Sequence, residues 1–207
     1  MQVYMMNKPQ GLITAKGDRT RKTVMELFPP ALYAALHPIG RLDIDTAGLL
    51  LFSDDGKLDN LLMQPERHVE KEYFFYAFGE LSEDAIRTLE GGMMIPGEEV
   101  PARPAKVRLL ETCRVDDVKD FLPVFRRQRY LKNPAGRVTG ATLTIHEGKK
   151  HQVKRMLRAV DLKIFYLERR AIGALRLDPS LKPGEYRLLS EEEIRLLFEN
   201  AGKETVT

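Results

Sequence analysis

The stretch Gly40-Arg41-Leu42-Asp43-Ile44-Asp45-Thr46-Ala47-Gly48-Leu49-Leu50-Leu51 sets two acidic residues in a glycine-bounded loop directly before an apolar run. The run reads as a buried strand, so a carboxylate in the loop is held by the scaffold and stays reachable. Such a group can act as a nucleophile or stabilise charge that develops on a substrate. An aspartate in a glycine-rich loop also commonly caps its own turn. Both readings stand for Asp43, whereas turn capping suits Asp45 better.

A carboxylate desolvated in a site tends to take up a proton, and a fixed cation nearby opposes this. The segment 149–160 can supply one. Val153, Met156, Leu157 and Val160 recur at i, i+3, i+4 and i+7, the buried stripe of a helix. Lys154 falls on the flank of that stripe and can reach inward. At 3.6 residues per turn, Arg155, Arg158 and His151 point to solvent or to a polyanion. Lys154 could equally be a boundary lysine that lays its stem along the core edge.

The elements that must position these groups can be read coarsely. Strands are expected at 3–6, 49–52, 72–78, 103–110, 139–146, 164–167 and 186–189, where β-branched and aromatic residues cluster. Helices are expected at 24–28, with Thr23 and Glu26 spaced as a capping box and Pro29-Pro30 as a stop, and at 57–63, 82–90 and 149–160. Ser82 is the expected N-cap of the third, and a last helix follows Ser190, with Glu193 completing a second capping box. Strands and helices interleave without a βαβ period. This predicts an α+β fold: a largely antiparallel mixed sheet with flanking helices.

A chain of 207 residues suits one domain of two lobes, 1–207 in all. One cysteine, Cys113, rules out a disulfide framework and a multi-cysteine zinc site, and no segment has the length of a membrane span. A cytoplasmic protein is expected. The net charge of +3 is modest, but its distribution is polarised. Eight basic residues (Lys149, Lys150, Lys154, Arg155, Arg158, Lys163, Arg169, Arg170) fall between 148 and 170, and Arg126, Arg127, Arg129 and Lys132 form a second cluster around Tyr130. Acidic residues gather at 66–90 and 191–193. A surface so divided suits a bound polyanion, although charge runs also serve as solvated helix faces.

Four segments carry a resemblance to the pseudouridine synthases, closest to the ribosomal RNA branch. They are Asn7-Lys8-Pro9-Gln10-Gly11, the Asp43 loop, Glu70-Lys71-Glu72-Tyr73 and Glu147-Gly148-Lys149-Lys150-His151-Gln152-Val153-Lys154-Arg155-Met156-Leu157. Pro183-Gly184-Glu185-Tyr186-Arg187-Leu188-Leu189 is similar to the tail of the small-subunit rRNA enzymes. The resemblance implies that the reaction is an isomerisation of uridine in RNA, with no cofactor, metal or second substrate. The chain has no P-loop, dinucleotide fingerprint or His/Cys metal spacing. It implies Asp43 as the essential carboxylate, Lys154 as its cationic partner and Tyr73 as the ring stacked on the target uracil. Arg41 would fill the gap left when the uridine leaves the RNA stack, an extrusion the chemistry requires. Lys8 and Pro9 would shape the site entrance, with Lys8 toward a phosphate. Leu157 would line the pocket or serve the core, with His151 and Arg155 toward RNA.

Two departures concern targeting. Many members begin with a small RNA-binding domain, and none is expected before Val3. The stretch 116–137 matches the family poorly and reads as an inserted basic loop. The expected partner is ribosomal RNA, most simply the small-subunit 16S RNA, acted on by a monomer. Large-subunit 23S RNA is the alternative target. Two other classes remain open: a non-catalytic RNA-binding assembly factor, and a nuclease holding Mg²⁺ on Asp43, Asp45, Asp54 and Asp55.

Overall fold

In the computed structural model, residues 1–64, 67–123 and 127–202 are described, the last four for their backbone only. Arg126 and Glu66, counted above among the charge clusters, lie outside the described residues. The elements run β1 (Val3–Lys8), α1 (Pro30–Ala35), β2 (His37–Ile39), β3 (Ala47–Ser53), α2 (Gly56–Met63), β4 (Lys71–Phe78), α3 (Glu83–Glu90), β5 (Lys106–Arg114), α4 (Arg127–Tyr130), β6 (Arg137–Ile145), α5 (Gln152–Ala159), β7 (Lys163–Ile172), β8 (Leu175–Arg176), β9 (Tyr186–Leu188) and α6 (Glu191–Gly202). Single 3₁₀ segments occupy Val24–Leu27 and Val115–Phe121. Among the described residues nine strands form one mixed sheet, with β5-β6-β4-β7-β3-β1-β9 as its spine. The α+β expectation holds, and β3 pairs in parallel with β7.

The chain divides into two compact units, Met1–Lys71 with Glu168–Thr207, and Glu72–Leu167. In the first, β3 is buried along its whole length, which is why Leu49-Leu50-Leu51-Phe52 reads as an unbroken apolar run rather than an alternation. Its Leu49 and Leu51 pack with Val3 and Met5 of β1 and with Leu58 and Leu62 of α2. On the opposite face Phe28 meets Phe52 edge-on at 4.8 Å and Tyr186 at 4.3 Å.

In the second unit, β4 alternates. Phe75 and Ala77 pack with Leu89 of α3 and with Val153, Met156 and Leu157 of α5. Phe74 and Tyr76 face the other way and pack with Val115, Val118 and Leu122. The 116–137 stretch is therefore more than a basic loop. Its apolar residues cover the second face of the sheet, with Tyr130 against Phe78 at 4.7 Å and Phe121 against Tyr76 at 5.0 Å. Burial raises the pKa of the half-buried Cys113 thiol, and the Glu111 and Asp117 charges add to the shift, so this cysteine is no ready nucleophile.

Several sequence expectations needed correction at their edges. Pro29-Pro30 does stop the first turn, with Glu26 closing back on the Thr23 amide at 2.7 Å, but Pro30 also opens α1 as its first residue. The short strands β2 and β8 carry too few residues to show a pattern. β7 runs five residues beyond the expected 164–167, because Glu168, Arg169 and Arg170 disguise a strand as a charge run. Ser82 caps α3 through the Ala85 amide, and Ser190 and Glu193 close a reciprocal box on α6, as expected.

Candidate functional site

In the first unit, two glycines with positive φ bracket the loop that carries Asp43. Gly40 has φ +64, and a Cβ there would lie 2.4 Å from Met63 Sδ of α2. Gly48 has φ +98, and a Cβ would lie 2.3 Å from the Arg169 carbonyl oxygen on the neighbouring strand β7. Only glycine fits these positions without strain and overlap. The Gly40 amide also donates to Asp59 Oδ1 at 2.6 Å, which ties the loop entrance to α2.

Between the glycines, the segment 8–14 clamps the loop backbone. The Thr14 hydroxyl donates to the Leu42 carbonyl at 2.9 Å and accepts the Leu42 amide at 3.2 Å. The Gly11 amide donates to the Ile44 carbonyl at 2.7 Å, and the Gln10 side chain donates to the Asp45 carbonyl at 2.9 Å. Lys8 Nζ donates to the Thr46 and Pro9 carbonyls, both at 2.9 Å. Residue after residue, the carbonyls of 42, 44, 45 and 46 are taken up. The Thr46 amide closes a turn on the Asp43 carbonyl at 3.1 Å. Asp43 itself stays half-buried, with Arg41 and Ile44 beside it exposed.

This corrects the expectation for Lys8. It is fully buried, and its ammonium serves backbone carbonyls rather than a phosphate at the entrance. Leu157 takes the core role of the two expected for it, with no exposure. The segment Asn7-Lys8-Pro9-Gln10-Gly11 was legible as a motif, but Thr14 carries no local signal, because a lone threonine announces nothing of a loop 28 residues away.

The second unit holds Tyr73, His151, Lys154 and Arg155. Tyr73 is half-buried at the start of β4 and packs on the same apolar cluster as Val153, Met156 and Leu157 of α5. The stripe faces inward as the spacing predicts, Lys154 is half-buried on its flank, and His151 and Arg158 are exposed, but Arg155, expected to point to solvent, is half-buried as well. His151 adopts a left-handed conformation, φ 50, immediately before the helix. Gln152 is buried and was not anticipated. Its side chain accepts the Lys149 amide at 2.9 Å and donates to Glu147 Oε1 at 2.7 Å, which folds the turn before α5.

Arg155 is a second correction. Its guanidinium is bound to Glu98 at 2.5 Å, to the Lys150 carbonyl at 3.1 Å and to the Pro96 carbonyl, so it is not held out toward RNA. The basic run of 148–170 thins accordingly. Lys149 donates to the Val100 carbonyl at 2.6 Å, Arg170 pairs with Glu168 at 2.9 Å, and Arg169 is buried with its Nε on the Leu49 carbonyl. Lys150, Arg158 and Lys163 remain exposed, as do Arg129 and Lys132 of the second cluster.

Among the described residues no three His, Cys, Asp or Glu side chains gather as a metal ligand set. Asp54 instead accepts the Gln2 amide, and Asp55 caps α2 through the Lys57 amide, both ordinary turn work. The four aspartates a nuclease would need are therefore not assembled. Elsewhere in the first unit, Lys71 at the head of β4 donates to the Val69 carbonyl at 3.0 Å. Burial, with Arg169 adding repulsion, lowers its pKa to about 8.

The profile of the family described as RNA pseudouridylate synthase matches residues 2–159, a span that includes the clamped loop, Tyr73 and α5. The chain belongs to the RNA pseudouridine synthase family. It is 40% identical over 196 residues to a Bacillus subtilis protein described as an uncharacterized RNA pseudouridine synthase, covering 94% of this chain and 72% of that protein. It is 34% identical to the ribosomal small subunit pseudouridine synthase A of Escherichia coli, over 92% of this chain and 71% of that enzyme. A crystal structure of a pseudouridylate synthase superposes with a TM-score of 0.78 at 35% identity, over 95% of this chain and 73% of that one. As a family member, this synthase isomerises uridine in RNA, and no helix among its described residues is long and apolar enough to cross a membrane.

Proposed function

We propose that this synthase converts a uridine of small-subunit ribosomal RNA to pseudouridine, as a monomer in the cytoplasm, with Asp43 as the catalytic carboxylate. The observation that carries the assignment of Asp43 is the loop held at four of its backbone carbonyls, those of Leu42, Ile44, Asp45 and Thr46. Gly40 and Gly48 fix its ends, and Lys8, Gln10, Gly11 and Thr14 occupy its backbone, so the Asp43 carboxylate is presented on a rigid frame. Preorganisation of this kind is what electrostatic or nucleophilic catalysis requires.

In the reaction the N1–C1′ bond of the uridine breaks, the base turns, and a C5–C1′ bond forms. The proton leaves C5 and N1 gains one, so the product is an isomer and no cofactor enters. Asp43 attacks or stabilises the centre that loses N1. Lys154, on the flank of α5, is the cation that the family resemblance assigns to this chemistry, where a fixed positive charge favours an ionised carboxylate. Tyr73 stacks on the uracil, and the exposed Arg41 takes the place of the extruded base in the RNA. The small-subunit target is supported by the relatives of that name and by the similar tail at 183–189.

The test is to incubate the purified protein separately with small-subunit RNA, large-subunit RNA and tRNA, and to map pseudouridine in each. One strong site in the small-subunit RNA is expected. One strong site in large-subunit RNA with none in the small would overturn the target and leave the chemistry intact.

A further inference from the structure

Arg155 and Glu98 are 57 residues apart in sequence, and both sit in the second unit. Glu98 ends a turn closed by its own amide on the Ile95 carbonyl at 3.0 Å, with Pro96 and Gly97 (φ +83) at the corner. Ile95 anchors that turn in the core, and the Met93–Ala102 bridge closes the hairpin behind it. The hairpin is thus stiff before it meets the helix.

It meets α5 through charge and backbone together. The Arg155 guanidinium spans three acceptors: the Glu98 carboxylate, the Pro96 carbonyl and the Lys150 carbonyl. Lys149 reaches the same hairpin at the Val100 and Pro101 carbonyls, at 2.6 and 3.3 Å. The Arg103 amide donates to Glu147, which also holds Gln152. Two of these ties, to the Glu98 carboxylate and the Pro96 carbonyl, join the helix to the hairpin, and a planar guanidinium held at two points restrains rotation about the helix axis more than a single surface ion pair does. Lys154 is the next residue on that helix.

We infer that Arg155 and Glu98 form a clasp whose work is to set the rotation of α5 and so the direction of Lys154, and that Arg155 is a positioning residue rather than an RNA contact. The inference rests on the proposed role of Lys154 as a cation of the reaction. It predicts a separation between chemistry and binding that neither a phosphate contact nor a purely structural bridge would produce.

Glu98→Gln is the decisive variant, because the two readings give opposite signs. If Arg155 bound phosphate, removing its internal carboxylate partner would free it, and RNA affinity would rise with a steeper salt dependence. If it is a clasp, the single-turnover rate falls by roughly ten- to a hundredfold, while Kd and its salt slope stay unchanged. Arg155→Met should match Glu98→Gln in rate and in Kd. The exchanged pair Glu98→Arg with Arg155→Glu should recover part of the lost rate without changing affinity. Thermal unfolding of each variant separates misfolding from misplacement, and the exchanged pair keeps the test open if either single variant is unstable. A rise in affinity in Glu98→Gln, or an unchanged rate in both single variants, overturns the clasp. Lys154→Met is run alongside. If it keeps full rate, the assignment of Lys154 has failed. If it loses rate while the clasp variants do not, the clasp alone has failed.

Discussion

A single threonine shows how much of the Asp43 loop is set by hydrogen bonds to its backbone. Thr14 both donates to and accepts from Leu42, at a position almost closed to solvent. Thr14→Val keeps the shape and leaves a buried amide and carbonyl unpaired, a loss of about 1–3 kcal/mol. The melting temperature should fall by several degrees, and the single-turnover rate should fall more than stability alone accounts for, measured at a temperature where the variant is fully folded. Lys71 makes a prediction of the opposite kind. Its pKa is lowered from the ordinary 10.5 to about 8 in the folded chain, so below pH 8 its charge is held at a cost. The unfolded chain binds more protons between those values, and stability therefore rises as pH climbs from about 8 to 10.5. The contribution is on the order of 3 kcal/mol. Urea unfolding of the native protein and of Lys71→Met across that range should show the rise in the first and not in the second.

At the scale of elements, the strand pair β3–β7 and the tail around β9 hold the first unit in place. A Cβ at Gly48 would overlap the backbone of β7, and its φ of +98 is strained for any other residue. Gly48→Ala should cost about 3 kcal/mol or more and reduce soluble yield, checked by unfolding of whatever folds. Arg187 explains the tail motif physically. It binds Glu193 with both Nη atoms at 2.9 and 2.7 Å, and Asp178 with its Nε at 2.6 Å. Hydrogen bonds from Ser180 first, and then from Arg187, hold Asp178 down at about 2. A carboxylate depressed in this way stabilises the fold above its ordinary pKa and loses that contribution as pH falls from about 4 toward 2. Arg187→Met should lower the melting temperature at pH 7 and flatten this acid transition. The residues of Pro183-Gly184-Glu185-Tyr186-Arg187-Leu188-Leu189 were visible as a family likeness, yet this three-way ion network depends on a chain reversal that no local spacing encodes.

Across the whole molecule, local signals were the legible ones. Periodicity placed the α5 stripe and the flank position of Lys154, glycines marked the ends of the Asp43 loop, and serine caps marked α3 and α6. Long-range pairings were not legible. Lys8 was expected at a phosphate and is buried against Thr46, and Arg155 was expected toward RNA and is held by Glu98. Both errors have one cause: a charged residue in sequence carries no mark of the acceptor that folding brings to it. The 116–137 stretch misled for a related reason, since its arginines drew notice while Val118, Leu122 and Tyr130 do its packing. Of the two basic clusters read from the sequence, Lys150, Arg158 and Lys163 of the first and Arg129 and Lys132 of the second are exposed. Phosphate contacts of this kind give RNA affinity that falls with salt and discriminates little, leaving selectivity to a folded RNA that presents one extrudable uridine. Short unstructured oligonucleotides should be poor substrates beside small-subunit RNA in the same assay.

The role of Asp43 is tested most directly by Asp43→Asn, which preserves the shape of the loop and removes its charge. Release of tritium from C5-labelled uridine in RNA reads the chemical step itself, because the label leaves only when C5 is joined to C1′ and gives up its proton. The clamped loop predicts that release vanishes while the melting temperature moves by no more than a few degrees. Release at the native rate from the folded variant would contradict the assignment of Asp43 and with it the proposed mechanism.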